Sequence, residues 1–204
     1  MDILHCSFTT DAVGYYKSSG GSTPTFTYTA IVAGVASYAL KTCAAIDVNQ
    51  DGYMDIVFNS WSPTTNIMVV MSNGGSPVTF ATPTAIGPVI PSYNLNVADF
   101  DKNGLSDIYF SGYTPTGGIF VMRNVGTAGA PIWVTQQLGS NAVDPYSDAV
   151  FVADINNDGN LDVIGADASE VLGGTSNSNN RLYYFLSTAA AASGCARPAG
   201  GGAR

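Results

Sequence analysis

Asp47-Val48-Asn49-Gln50-Asp51-Gly52-Tyr53-Met54-Asp55 carries oxygen-bearing side chains at its first, third, fifth and ninth positions and glycine at its sixth. The pattern returns as Asp99-Phe100-Asp101-Lys102-Asn103-Gly104-Leu105-Ser106-Asp107 and as Asp154-Ile155-Asn156-Asn157-Asp158-Gly159-Asn160-Leu161-Asp162. The starts lie 52 and 55 residues apart. An apolar run follows each segment: Ile56-Val57-Phe58, Ile108-Tyr109-Phe110 and Val163-Ile164. A lone Asp/Asn/Gly cluster reads as an ordinary turn. Three in register, each opening onto an apolar run, read as one loop used three times.

Working outward, the other parts of the period recur as well. A second apolar run follows each loop: Ile67-Met68-Val69-Val70-Met71, Ile119-Phe120-Val121-Met122 and Leu182-Tyr183-Tyr184-Phe185. A proline then precedes an aromatic strand: Pro24 before Phe26 and Tyr28, Pro77 before Phe80, Pro131 before Trp133. Short strands separated by turn residues, four to a repeat, are the pattern of a β-propeller blade. Met1-Asp2-Ile3-Leu4 aligns with Met54-Asp55-Ile56-Val57, so Asp2 takes the ninth position of a loop whose earlier ligands are missing. The last repeat runs into an Ala/Gly-rich stretch without a clear fourth strand. The expectation is an all-β chain of about four blade equivalents, two of them incomplete, forming a partial or open propeller over residues 1–188. Its blades are placed at about 1–40, 41–92, 93–147 and 148–188, followed by a flexible tail at 189–204.

The loop chemistry points to calcium. Ca²⁺ takes six to eight oxygen ligands in a flexible shell. Alternate residues of a tight loop turn inward, so positions 1, 3 and 5 converge, and glycine at position 6 permits the sharp turn. A carbonyl at position 7 and the carboxylate at position 9 complete the shell. The candidate ligands are Asp47, Asn49, Asp51, Tyr53 and Asp55; Asp99, Asp101, Asn103, Leu105 and Asp107; and Asp154, Asn156, Asp158, Asn160 and Asp162, for about three ions. An EF-hand closes with glutamate at position 12 between helices; here the twelfth residues are Phe58, Phe110 and Gly165, and strands follow. Mg²⁺ fits less well, because it demands stricter octahedral geometry and keeps its waters.

Composition agrees. Hydrophobic residues make up 46% and charged residues 11%, which excludes a disordered chain. Glutamate occurs once and lysine three times, against helix. No run is long enough to span a membrane as a helix. A net charge of −8 argues against nucleic acid as a partner. Nine of the fifteen acidic residues lie in the three loops. The three cysteines, Cys6, Cys43 and Cys195, are odd in number and read as buried or incidental thiols. Met1 to Phe8 lacks the pattern of a secretion signal.

These loops, strands and period resemble FG-GAP/VCBS repeats, the blades of integrin-α-type β-propellers. The resemblance covers about residues 1–187 and is closer to the looser VCBS form, since the Phe-Gly and Gly-Ala-Pro signatures are not clear. It implies that each loop joins the first and second strands of a blade and binds its ion through the positions named above. It also implies an extracellular or cell-surface setting. Propellers of the family close with seven blades, more than this chain holds, so Met1 reads as an internal methionine of a longer chain, or copies and partners complete the ring or stack into a fibre.

The leading functional expectation is a non-enzymatic, calcium-stabilised module for adhesion, protein recognition or assembly, with a protein or glycan partner at the cell surface or matrix. A lectin-like alternative rests on the sixth residue after each loop's last aspartate: Phe8, Trp61, Tyr113 and then Ala168. Trp61 and Tyr113 are the candidate sugar-stacking residues; the competing expectation packs these rings between blades. A further alternative makes the chain part of a fibre or of a larger polysaccharide-active enzyme. Catalysis has little support. His5 is the only histidine, and Glu170 lies in a Gly/Ser/Asn-rich stretch. Asp144, Asp148 and Asp167 are explained by turns, which leaves no acid–base pair.

Overall fold

Ile56, Val57 and Phe58 are consecutive in the chain but leave their strand on alternate sides. Ile56 and Phe58 pack with Val13, Val32, Leu40, Met68 and Val70. Val57 packs with Ile46, Val48, Val69, Ile108, Phe110, Phe120 and Met122. A strand covered on both faces has no use for polar alternate residues, which explains the unbroken apolar runs after the loops.

The computed structural model describes residues 1–32, 39–61, 67–112, 118–138, 149–167 and 181–186. Among the described residues there are fourteen strands and no helix. The first sheet holds β1 (Ile3–Ser7), β2 (Ala12–Ser18) and β3 (Phe26–Val32). The second holds β4 (Leu40–Ile46), β5 (Asp55–Ser60), β6 (Met68–Val70) and β7 (Thr84–Ala85). The third holds β8 (Ser92–Ala98), β9 (Asp107–Gly112), β10 (Gly118–Asn124) and β11 (Trp133–Leu138). The fourth holds β12 (Ala149–Ala153), β13 (Asp162–Asp167) and β14 (Arg181–Phe185). Within each sheet, neighbouring strands are consecutive and antiparallel.

These are propeller-type blades. β1, β4, β8 and β12 lie side by side, so the four sheets follow one another about a common side. β1 is the counterpart of β5, β9 and β13, so the first sheet corresponds to strands two to four of a blade; the fourth sheet shows strands one to three. Among the described residues the sheets share no ladder, and side-chain cores join them. The two already described lie between the first and second and between the second and third. The next groups Tyr109, Ile119, Val121 and Leu138 of the third sheet with Val150 and Val163 of the fourth. Fully burying one such side chain contributes about 1.5–3 kcal/mol.

Two sequence expectations need correction. Cys6 on β1 and Cys43 on β4 are not thiols: they form a disulfide across the first two sheets, with Cα atoms 6.1 Å apart. An odd cysteine count hides such a pair. Phe80 is not in a strand; it makes an isolated bridge to Ser72, and the fourth strand begins only at Thr84. The turn between is closed by Asn73, whose N–H donates to the Thr79 carbonyl at 2.9 Å and whose Nδ2 donates to Thr79 Oγ1 at 2.8 Å. Pro83, without an N–H, then delays the ladder. Tyr113, Asp144, Asp148, Glu170, Cys195 and the tail at 189–204 lie outside the described residues.

Candidate metal centre

Each acidic loop joins the first two strands of its sheet: 47–54 between β4 and β5, 99–106 between β8 and β9, 154–161 between β12 and β13. The aspartate at position 1 closes the loop. Asp47, Asp99 and Asp154 each accept the N–H of position 5 on Oδ1, at 3.1 Å in all three. Their Oδ2 atoms accept the N–H of the glycine at position 6, at 2.9, 2.9 and 2.8 Å. The position 5 side chain accepts the N–H of position 7: Asp51 from Tyr53, Asn103 from Leu105, Asp158 from Asn160. Gly52, Gly104 and Gly159 have φ of 88°, 85° and 84°, as a tight turn at this point requires.

The position 9 aspartates anchor the loop to the sheet. Asp55, Asp107 and Asp162 are fully buried. Each accepts the N–H of position 2 on Oδ2, from Val48, Phe100 and Ile155. Asp55 Oδ1 also accepts from Ser72 at 2.7 Å, and Asp107 Oδ1 from Asn124 at 2.8 Å, both on the third-strand side of the sheet. Asp2 Oδ1 accepts the Ser18 N–H at 2.8 Å in the same manner.

The second loop gathers carboxylates most closely. Asp99, Asp101 and Asp107 each present an oxygen within 4.8 Å of the others, and such a cluster can hold a metal ion. Among the described residues no other group of this kind is found. In the first and third loops position 3 is asparagine, and its amide donates to the position 5 carboxylate: Asn49 to Asp51 at 2.9 Å, Asn156 to Asp158 at 3.0 Å. The donors at all three loops are oxygens, the chemistry of a hard cation.

Residues 47–110 match the family model of the FG-GAP-like repeat. The chain carries an FG-GAP-like repeat. Repeats of this family form β-propellers, the four antiparallel sheets are consistent with propeller-like blades, and the match suggests a β-propeller-type protein-interaction module. No curated protein matches the chain in sequence.

Burial governs the electrostatics of the position 9 aspartates Asp55 and Asp107. Desolvation pushes the Asp107 carboxyl up to about 6. Hydrogen bonds from Asn124 and Phe100 oppose this shift, and the Asp101 and Asp99 charges add to it. Asp55 is raised for the same leading reason. Asp158 is lowered, first by the Asn160 N–H and then by the Asn156 amide. Arg123 Nη1 stands 3.8 Å from Asp101 Oδ2 and partly balances the second loop.

Two features escaped the sequence reading. Position 4 of each loop also turns left-handed: Gln50, Lys102 and Asn157 have φ of 57°, 57° and 61°. Only asparagine signals that conformation in advance. These residues also tie loop to loop: Gln50 Nε2 donates to the Gly104 carbonyl at 2.5 Å, and Lys102 Nζ to Asn160 Oδ1 at 2.9 Å. At the opposite end of the strands, Lys41 Nζ lies 4.3 Å from the ring centre of Phe8, 4.9 Å from Tyr93 and 5.3 Å from Trp61. Trp61 stacks on Tyr93 and is 39% exposed, so it is neither buried between sheets nor an isolated ring.

Proposed function

We propose that this chain is a calcium-stabilised, non-enzymatic recognition module that works outside the cell. The grouping of Asp99 and Asp101 with the fully buried anchor Asp107 carries the reading. The desolvated Asp107 carboxylate is repelled by two others so close to it, and a divalent ion offsets both the repulsion and the cost of its burial. Asp47, Asn49, Asp51 and Asp55 in the first loop, and Asp154, Asn156, Asp158 and Asp162 in the third, are the corresponding ligands. Every loop offers three carboxylates and one amide oxygen, the amide at position 3 in the first and third and at position 5 in the second. The ions are structural: each ties the first two strands of a sheet together, so binding energy becomes folding energy. At extracellular-module affinities of roughly 10⁻⁴–10⁻³ M, a site at ten times its Kd contributes about 1.4 kcal/mol.

The Cys6–Cys43 disulfide supports an oxidising, extracellular setting. His5, whose ring meets Tyr16 and Tyr28 edge-on, has no acid–base partner among the described residues. Melting with and without excess chelator tests the proposal. A lower melting temperature in chelator is expected, restored by calcium and not by magnesium; identical melts would refute it. A second reading, glycan binding, is favoured by the exposed Phe8 and Trp61 rings around Lys41. A glycan array that gives the same signal for wild type and Trp61→Ala would remove it.

A further inference from the structure

Asn124 ends β10, is fully buried, and meets two acidic loops at once. Its backbone belongs to the second loop. The N–H donates to the anchor Asp107 at 2.8 Å, and the carbonyl accepts the Asn103 amide at 2.9 Å. Its side chain reaches the first loop. Oδ1 accepts the N–H groups of Gly126 and Ile132, both at 3.2 Å, which turns Nδ2 toward the Val48 carbonyl at 3.4 Å. Val48 in turn gives its N–H to Asp55 at 3.0 Å. An unbroken series of hydrogen bonds thus runs from anchor to anchor, through Asp55, Val48, Asn124 and Asp107.

Two further bonds run beside it. The Gly129 N–H, in the turn between β10 and β11, donates to the Asn49 carbonyl at 2.6 Å, and Gln50 Nε2 donates to the Gly104 carbonyl at 2.5 Å. Positions 2, 3 and 4 of the first loop are therefore all bonded to the third sheet or to its loop. The residue choices fit this link. Asn103 stands where the other two loops have aspartate, and only an amide can donate to the Asn124 carbonyl. Ser72, the counterpart of Asn124 in the second sheet, also gives its N–H to the anchor, but its short side chain accepts from Gly74 of its own turn. The second loop meets the third through the bond from Lys102 to Asn160, made by one exposed side chain whose loss of rotamer freedom offsets the gain.

We propose that calcium binding at the first and second loops is coupled through Asn124 and Gln50, while the third loop binds on its own. The proposal rests on the calcium reading above. With Asp107 and Asn103 fixed by an ion, Asn124 is held at both its N–H and its carbonyl. It then holds Val48, and Gln50 is held by Gly104. The first loop is thereby ordered before its own ion arrives, so binding there costs less conformational entropy. By linkage the effect is the same in the other direction. Asn124 is a positioning residue, and the link is made of hydrogen bonds, separate from the apolar packing of the Val48 side chain.

Calcium titration of the ¹⁵N-labelled full chain by NMR tests the proposal. The N–H groups of Gly52, Gly104 and Gly159 each report their own loop, through the bond to its position 1 aspartate. Asp51→Ala removes a ligand from the first loop. It is expected to raise the calcium concentration that half-saturates Gly104 by about fivefold or more, and that of Gly159 by less than about twofold. In a Gln50→Asn/Asn124→Ser background the same Asp51→Ala change is expected to leave Gly104 unmoved. Both replacements are residues the chain itself uses at the equivalent places, as Asn157 and Ser72, so the turn and the backbone bonds are kept. Three glycines that ignore calcium overturn the calcium reading and the coupling with it. Glycines that respond, with Gly104 indifferent to Asp51→Ala, overturn the coupling alone. A Gly104 shift that persists in the double background, or a Gly159 shift as large, also overturns it, because general loosening would then explain the effect. If a variant fails to fold, wild type decides: Gly52 and Gly104 are expected to rise together more steeply than a single site, and two single-site curves overturn the coupling.

Discussion

Val48 and Ile155 hold the same place in two loops that differ little in themselves. Both loops are closed by the same aspartate and glycine contacts, and both backbones turn left-handed at positions 4 and 6. Yet Val48 is 2% exposed and Ile155 48%. The loop is therefore a local object, complete within nine residues. The burial of its second residue comes from the next sheet, which Val48 has and Ile155, among the described residues, does not. Ion binding and blade packing are separate layers of the structure and respond to different substitutions.

The strongest way to break this contrast is to put a charge at the two positions. Val48→Asp strands a carboxylate in the core between the second and third sheets. It is expected to cost more than about 3 kcal/mol. Ile155→Asp in the dilute chain is expected to cost about 0.5 kcal/mol or less. Urea melts of the two variants check this, and equal costs would break the comparison.

A smaller effect sharpens it at the anchor. Asp107→Ala leaves the Asn124 and Phe100 N–H groups without their acceptor. In calcium-free buffer the expected loss is about 2–3 kcal/mol. Asp2→Ala removes the equivalent bond to Ser18 at an exposed site and is expected to cost under about 1 kcal/mol. Calorimetry of the pair separates a buried anchor from its exposed counterpart.

The last expected effect is in pH. Asp107 is raised in the folded chain, to about 6 from an ordinary value near 3.8, so between those values the folded state holds more proton than the unfolded one. Its contribution to stability is therefore fully present below about pH 4 and lost as pH rises through about 6. Asp158 is lowered, so its stabilising contribution is lost only below pH 4, outside that window. Calcium-free melts should show a decline across pH 4 to 6 that Asp107→Asn flattens. Calcium should reverse it by favouring the ionised carboxylate. A slope unchanged by Asp107→Asn would assign the decline to another group.

The loops and their period were legible because each loop depends on contacts within nine residues: alternation sets the carboxylates, and glycine meets the left-handed turn. The strands after them were legible because two covered faces leave an unbroken apolar run. What depends on neighbours was not. The Cys6–Cys43 pair is 37 residues apart in sequence and meets only because β1 lies beside β4. Lys41 gives no local sign that three rings from three sheets surround it. Gln50 and Lys102 adopt a turn their residue types do not announce, and reach loops more than fifty residues on. Phe80 resembles a strand residue, but a turn and Pro83 leave it with a single bridge.

Diffraction from crystals grown in calcium tests the central claim most directly. Ion density is expected within reach of Asp99, Asp101 and Asp107, and at the matching points of the first and third loops, with only oxygen ligands. Millimolar calcium that leaves all three loops empty would contradict the account.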